Sequence, residues 1–246
     1  MDLKRIGETK IMNCGEEATI IEYNGVKDIL VEFKKYGEKV NSQYVNFKNG
    51  TIKSKFAKTV YGVGFIGECL YKTDSIQYKY WRDMLKRCYD EKTLERNPTY
   101  CNKSVDECWH NFQNFAKWFD ENYYEHSKEA MCLDKDILEK GNKIYSPNTC
   151  IFVPKRINTL FVKCDKARGQ YPIGVSYKKS KNKYQSRCQT LDGLVFLGYY
   201  NTPEEAFYKY KEFKEDYIKK VAEEYKDIIP VNLYEAMNKY VVDIND

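Results

Sequence analysis

Histidine, closely paired cysteines and long apolar runs are scarce in this sequence. Only two of its 246 residues are histidine, so few imidazoles are present to act as a base or a metal ligand. The nine cysteines include no Cys-x-x-Cys pair, and the polar start Met1–Arg5 is not typical of a signal peptide. We therefore expect free thiols in a reducing cytoplasm rather than structural zinc. No apolar run approaches the roughly 20 residues of a membrane span, so we expect no membrane partner.

The chain does contain ample apolar material and one strongly basic segment. Hydrophobic residues make up 42% and aromatic residues 15% of the sequence, which excludes global disorder. The net charge of +5 is modest, but residues 155–199 hold ten Lys or Arg against two Asp or Glu. A local basic segment with interspersed tyrosines is typical of a nucleic-acid surface. A solvated lysine-rich face is the alternative.

Turn signals and hydrophobic periodicity predict an α+β protein of three modules. Residues 1–56 form a small β barrel-like domain in this interpretation. Residues 57–165 form a helical module that ends in a strand, a turn, a second strand and a short helix. Residues 166–246 form a three-stranded sheet packed on one helix, followed by a C-terminal helical tail.

Local patterns within the first two modules make five further predictions. Asn24-Gly25 is typical of a hairpin turn, and a third strand is predicted around 43–47. A helix is predicted after the capping candidates Thr73 to Ser75, and another over 106–123. The GxGxxG spacing at 62–67 is not followed by a βαβ unit, so we interpret it as a flexible connector.

The segment from residue 133 to residue 158 brings together the polar residues of greatest interest. Leu133-Asp134 ends a predicted strand, Ser146-Pro147-Asn148 precedes the next one, and Asn158 follows on a short helix. This layout resembles the ββα-metal core of the HNH-type nucleases of phages and mobile elements. The resemblance implies that Asp134 and Asn158 bind Mg²⁺ or another divalent metal, and that Asn148 fixes the loop between the strands. Such a metal stabilises the charge that develops on the phosphate during phosphodiester cleavage.

Lys135 departs from the nuclease pattern. It stands where the resemblance places the general-base histidine, and a lysine that is protonated at neutral pH has no lone pair to accept a proton from water. It could still contact the scissile phosphate as a positive charge. The two histidines, His110 and His126, are expected to have capping, interfacial or loop roles. A solvated strand end with mutually paired charges is the alternative interpretation of residues 134–136.

The C-terminal module contains three predicted strands, at 173–177, 183–189 and 194–199, and a helix that begins after Thr202. Thr202 is a capping residue, Pro203 occupies the first helical position, and acidic residues follow. The residues that recur at characteristic intervals along these elements are Gly174, Val175, Tyr184, Arg187, Leu197, Gly198, Tyr199, Thr202, Glu204, Glu205, Ala206 and Tyr210. This pattern is similar to the Apetala/ethylene-response-factor DNA-binding domain.

That similarity implies that the sheet, rather than the helix, lies in the major groove of double-stranded DNA. Strand alternation predicts that Gln185, Arg187 and Gln189 share one face, and that Tyr184, Ser186 and Cys188 share the other. Long polar side chains on the first face could reach base edges or phosphates. The alternative is that they are ordinary exposed strand residues. The full predicted DNA-binding set is Arg168, Tyr177, Lys179, Lys183, Gln185, Arg187 and Gln189.

Two functional hypotheses follow from the sequence. The first is a metal-dependent endonuclease of the homing or mobile-element type, which would act in the cytoplasm of a bacterial cell. The second is a non-catalytic DNA-binding protein, regulatory or host-interfering, that keeps the nuclease fold as a scaffold. Lys135 favours the second hypothesis, because it removes the base that the first one needs.

Overall fold

The computed structural model describes residues 3–68, 70–126, 129–162 and 170–245. Its strands are β1 (Thr9–Ile11), β2 (Glu17–Gly25), β3 (Asp28–Phe33), β4 (Glu38–Ser42), β5 (Ser104–Val105), β6 (Met131–Asp134), β7 (Ile144–Tyr145), β8 (Ile151–Pro154), β9 (Val175–Lys178), β10 (Lys183–Thr190) and β11 (Gly193–Tyr200). Its α-helices are α1 (Tyr44–Asn49), α2 (Ile76–Tyr89), α3 (Glu91–Arg96), α4 (Phe112–Asn122), α5 (Lys155–Thr159), α6 (Pro203–Glu224) and α7 (Val231–Lys239). The predicted α+β class is confirmed, with several small sheets.

The chain divides into two compact units. One comprises residues 1–121 and 143–146, and the other comprises residues 122–142 and 147–246. The predicted module boundaries at residues 56 and 165 stay predictions. No helix in the described part of the chain is both long enough and apolar enough to span a bilayer.

The N-terminal sheet of the first unit is open, not barrel-like. Its antiparallel strands follow the order β1-β2-β3-β4, and the described residues contain no closed barrel. The strand predicted around 43–47 is wrong, because this segment forms α1. Phe47 on α1 is fully buried in the core of the sheet, and Gly50 ends the helix with φ of 70°. Gly50 is therefore the C-terminal cap of this helix.

The first predicted hairpin exists, but its turn lies further along the chain. Strand β2 continues through Gly25, which pairs with Asp28 of β3. The chain reverses at Val26-Lys27, two residues after the predicted Asn24-Gly25 turn. Gly25 has φ of 147°, a backbone conformation that glycine adopts without steric cost.

The helical part of the first unit follows the predicted apolar stripes. Ser75 caps α2 by accepting from the backbone N–H of Tyr78, as expected, and Trp81 is fully buried on that helix. The helix predicted over 106–123 is interrupted, because a 3-10 turn at Glu107–His110 precedes α4 and Asn111 between them is extended. The glycine segment is not a flexible connector. A Cβ at Gly64 would lie 2.5 Å from Leu85 Cδ1, so this backbone packs directly against α2.

In the second unit, the ββα segment and the C-terminal helices share one core. Strands β6 and β8 pair antiparallel, and α5 follows β8 at once. Apolar side chains from β8, α5, α6 and α7 pack together, among them Val153, Ile157, Ile218 and Leu233. A separate cluster around Cys188 and Phe207 joins the C-terminal sheet to α6. The sheet has the order β11-β10-β9 and matches the predicted meander.

Candidate nucleic-acid interface

The two faces of the C-terminal sheet differ sharply in burial. On β10, Ser186 and Cys188 are fully buried on the face that α6 covers. Arg187 and Gln189 alternate with them and are exposed on the opposite face. The predicted alternation of this strand is therefore confirmed between Ser186 and Gln189. We call the uncovered side the outer face of the sheet.

Strand pairing extends the outer face to the neighbouring strand β11. Residues directly opposite each other in a ladder point to the same face. Arg187 is opposite Phe196, and Gln189 is opposite Leu194. Phe196 is 52% exposed and Leu194 is 58% exposed, so two large apolar side chains of the edge strand β11 face solvent. The outer face thus combines cationic, amide and apolar groups.

A β-bulge adds an aromatic ring to the outer face. The β10–β11 register shifts after Ser186, so Ser186 pairs with Gly198 while Arg187 pairs with Phe196, which leaves Leu197 without an opposite residue. Tyr199 therefore lies on the same face as Phe196, and their ring centroids are 5.0 Å apart. Simple alternation would have placed these two rings on opposite faces. An isolated glycine within a strand, here Gly198, is the sequence signal for such a bulge.

Gln185 is on the predicted face, but its side chain is not exposed for contact with DNA. It lies opposite Tyr199 and is only 3% exposed. With its amide oxygen turned toward Arg187, Gln185 accepts hydrogen bonds from the guanidinium. Its position suits the orientation of the arginine better than direct contact with a large ligand.

The remaining sheet residues of the predicted set occupy different places. Tyr177 pairs with Tyr184, on the face opposite Gln185, and its hydroxyl donates to Asn182 Oδ1 at 2.5 Å. Lys183 is exposed opposite Lys178 at the turn end of the ladder, and Lys179 is exposed in the 3-10 turn that follows β9. Arg168 lies outside the described residues.

Asp134 lies at the end of β6, opposite Ile151 of β8. One carboxylate oxygen accepts the backbone N–H groups of Asp136 and Ile137, both at 2.8 Å. Burial raises the pKa of Asp134 from 3.8 to about 6, and the nearby charge of Asp136 adds to this effect. The two hydrogen bonds and the charge of Lys135 oppose the rise without cancelling it.

The loop after β6 also buries Lys135. Its side chain is 8% exposed, and its ammonium lies 3.2 Å from the Asp136 carboxylate. Asn142 donates from its side chain to the backbone oxygen of Lys135 at 2.6 Å, and so closes the loop. Asn148, which the nuclease resemblance placed in that role, is exposed in the turn before β8. The sequence contained Asn142 as part of a Gly-Asn motif, but nothing local indicated its partner.

The metal donors that the resemblance implies are few. Among the described residues, no group of three or more His, Cys, Asp or Glu side chains could hold a metal ion. Asp134 and Asn158, which is half-buried on α5, supply one carboxylate and one amide oxygen. These are donors that Mg²⁺ accepts when water or substrate oxygens complete its coordination. The charge of Lys135 next to Asp134 works against a cation there.

No protein-family model, no curated protein and no solved structure matches this chain, so no known protein supports or contradicts these observations.

Proposed function

We propose that this protein binds double-stranded DNA through the outer face of its C-terminal sheet. The observation that supports the proposal most directly is the exposed row of Arg187 and Gln189 beside Phe196 and Tyr199, on a face that α6 leaves uncovered. The segment 155–199 that contains this face has a large excess of positive charge. Positive charge supplies most of the sequence-independent affinity for DNA.

The dimensions of the sheet suit the major groove. Neighbouring strands lie about 4.8 Å apart, so the outer strands of three are separated by roughly 10 Å, while the groove is about 12 Å wide. From Lys183 to Gln189, β10 spans about 20 Å at roughly 3.3 Å per residue. A duplex advances about 3.4 Å per base pair along each strand, so β10 could follow about six base pairs.

In this proposal, the side chains of the outer face contact different parts of the DNA. Arg187, held by Gln185, can donate two parallel hydrogen bonds to a guanine edge or a phosphate. Gln189 can pair with an adenine edge in the same way. Phe196, Leu194 and Tyr199 contact thymine methyl groups and sugars. An exposed apolar patch of this kind could instead bind a protein, and the salt dependence of binding separates the two cases.

Fluorescence anisotropy with a labelled duplex of mixed sequence tests the proposal. Arg187→Ala should weaken binding and lower the slope of log affinity against log salt concentration. Lys219→Ala removes the same charge from an exposed position on α6 and is the matched control. Arg187→Lys separates the two roles of the guanidinium, because lysine can replace a phosphate contact but not a bidentate base contact. Unchanged affinity in Arg187→Ala would show that the sheet is not the DNA-binding surface.

Metal-dependent cleavage is the second candidate function. It is favoured by the half-buried Asp134 carboxyl at the end of β6, followed by β8 and α5 in the order that the HNH-like interpretation predicts. A bound divalent cation would supply charge stabilisation at the phosphate, with Asp134 and Asn158 as its protein ligands. Lys135, which stands where the resemblance places the general-base histidine, is buried in an ion pair with Asp136. This favours DNA binding without cleavage.

Two measurements test this second candidate. If Asp134 binds Mg²⁺ or Mn²⁺, the metal raises the melting temperature of the wild-type protein but not that of Asp134→Asn. If the protein cleaves, it nicks supercoiled plasmid in the presence of metal, and the activity is lost in Asp134→Ala and Asn158→Ala. DNA binding without nicking and without a metal-dependent shift assigns the ββα segment a scaffold role.

A further inference from the structure

A cleft of about 420 Å³ opens beside the C-terminal end of β10. One side is formed by α5, which contributes Lys155, Arg156 and Thr159, and the other side includes Gln189 and Thr190 from β10. Glu129, just before β6, is the acidic residue of the lining. Every part of this cleft belongs to the second compact unit.

The positive charge of the cleft comes from side chains. The backbone N–H of Lys155 donates to the oxygen of Ala130 at 2.9 Å, and that of Arg156 donates to Glu129 Oε1 at 2.7 Å. Neither backbone group therefore remains for a ligand. The side chains of Lys155 and Arg156 are exposed, and the guanidinium lies near the hydroxyl of Tyr225. Two cations thus face one carboxylate that already accepts a hydrogen bond.

The cleft is continuous with the outer face of the sheet through Gln189. That residue lines the cleft and also stands opposite Leu194 on the outer face, two positions after Arg187. Two residues along a strand correspond to about 7 Å, so a duplex that lies on Arg187 passes within reach of the cleft. Two cationic side chains line the cleft, which suits an oxyanion. The hydroxyls of Thr159 and Thr190 already donate to backbone oxygens, so the charge of Lys155 and Arg156 is what the cleft offers an anion.

We propose that this cleft binds a backbone phosphate of the duplex that lies on the outer face. The inference rests on the proposed DNA binding and deepens it, because it adds a second anchoring point on a different element. The side chains of Lys155 and Arg156 would hold the phosphate. A phosphate contact positions the protein on DNA without reading sequence.

Two substitutions of opposite sign test the cleft. Lys155→Ala removes a cation, so the protein neutralises one phosphate fewer, and the negative slope of log affinity against log salt should become shallower by about 0.9. Glu129→Gln keeps an oxygen acceptor for the N–H of Arg156 but removes the negative charge, so it should strengthen binding. Lys219→Ala is the control for general charge, and thermal melting checks that each variant is folded. The weakening in Lys155→Ala should be similar for all duplex sequences.

The outcomes separate this inference from the proposed function. If the wild-type protein binds DNA and both cleft variants behave as the Lys219→Ala control does, the cleft assignment is overturned while DNA binding stands. If the wild-type protein does not bind DNA, both proposals fail. A further experiment adds inorganic phosphate as a competitor at constant ionic strength. If phosphate abolishes the difference in DNA affinity between wild type and Lys155→Ala, the result supports a phosphate site in the cleft. If Lys155→Ala does not fold, the Glu129→Gln result alone decides.

Discussion

Replacement of Asp134 by asparagine gives the sharpest test of the buried loop after β6. The substitution removes the carboxyl charge but keeps an oxygen that can accept the N–H groups of Asp136 and Ile137. Burial raises the pKa of Asp134 to about 6, so the folded protein favours the protonated acid. The stability that this group contributes is therefore complete below about pH 4 and is lost as the pH rises through about 6.

The size of the effect follows from the two pKa values of Asp134. The difference between the ordinary value of 3.8 and the folded value of about 6 corresponds to roughly 3 kcal/mol, at about 1.4 kcal/mol per pH unit. Relative to wild type, Asp134→Asn should thus gain up to about 3 kcal/mol of unfolding free energy between about pH 4 and pH 8. At the acidic end the two proteins should differ little, because the wild-type carboxyl is already neutral there.

Urea denaturation at a series of pH values measures this difference, with Asp216→Asn on the exposed face of α6 as the control. The control should show no comparable dependence on pH. A constant difference between wild type and Asp134→Asn across the pH range would refute the reasoning. A loss of stability in Asp134→Asn at neutral pH would show that the ionised carboxylate is a favourable part of the fold, as a charge held by a cationic partner would be.

Three further predictions concern the fold that presents the interface. Lys214 is buried on α6, and burial lowers its pKa, so Lys214→Met should raise the unfolding free energy at pH 7. That gain should shrink as the pH approaches the ordinary lysine value of 10.5, which urea denaturation at high pH would check. Thr202→Ala removes the cap that accepts from Glu205 N–H and should cost about 1 kcal/mol in the same assay, whereas Thr202→Ser should cost little. Gly174→Ala would place a Cβ 2.1 Å from the Tyr210 ring at φ of 78°, so it should lower the melting temperature far more than Gly193→Ala, whose Cβ meets nothing within 4 Å.

Local chemistry made the C-terminal module largely predictable. Thr202, Pro203 and Glu205 are enough to mark the start of α6, and the structure has the full capping box there. The alternation of Ser186, Arg187, Cys188 and Gln189 was equally visible, because one face of β10 is buried under a helix and the other is not. These features depend on neighbours within a few positions along the chain.

Features that depend on distant partners could not be predicted. Residues 43–47 have a strand-like composition, but burial of Phe47 against the sheet favours α1. Gly198 signals a bulge in the sequence, but the position of Tyr199 beside Phe196 depends on the pairing register with β10. Likewise, the shared core of the ββα segment and the C-terminal helices joins residues such as Val153 and Leu233, which are far apart in sequence.

The candidate sites show the same division. Sequence identified Arg187 and Gln189, but not the arrangement in which Gln185 is buried against the Arg187 guanidinium. It identified Asp134 and the departure at Lys135, but not the burial of that lysine or the closure of its loop by Asn142. Burial and partner identity are properties of the folded chain, and a charged residue after a strand does not reveal either of them.

The most direct test of DNA binding by the outer face is a salt titration of duplex affinity for wild type, Arg187→Ala and Lys219→Ala, measured side by side. If the outer face binds DNA, wild type and Lys219→Ala bind with similar affinity and similarly steep salt dependence, while Arg187→Ala binds more weakly with a shallower slope. Equal affinity and equal slope for all three proteins would contradict DNA binding by this face.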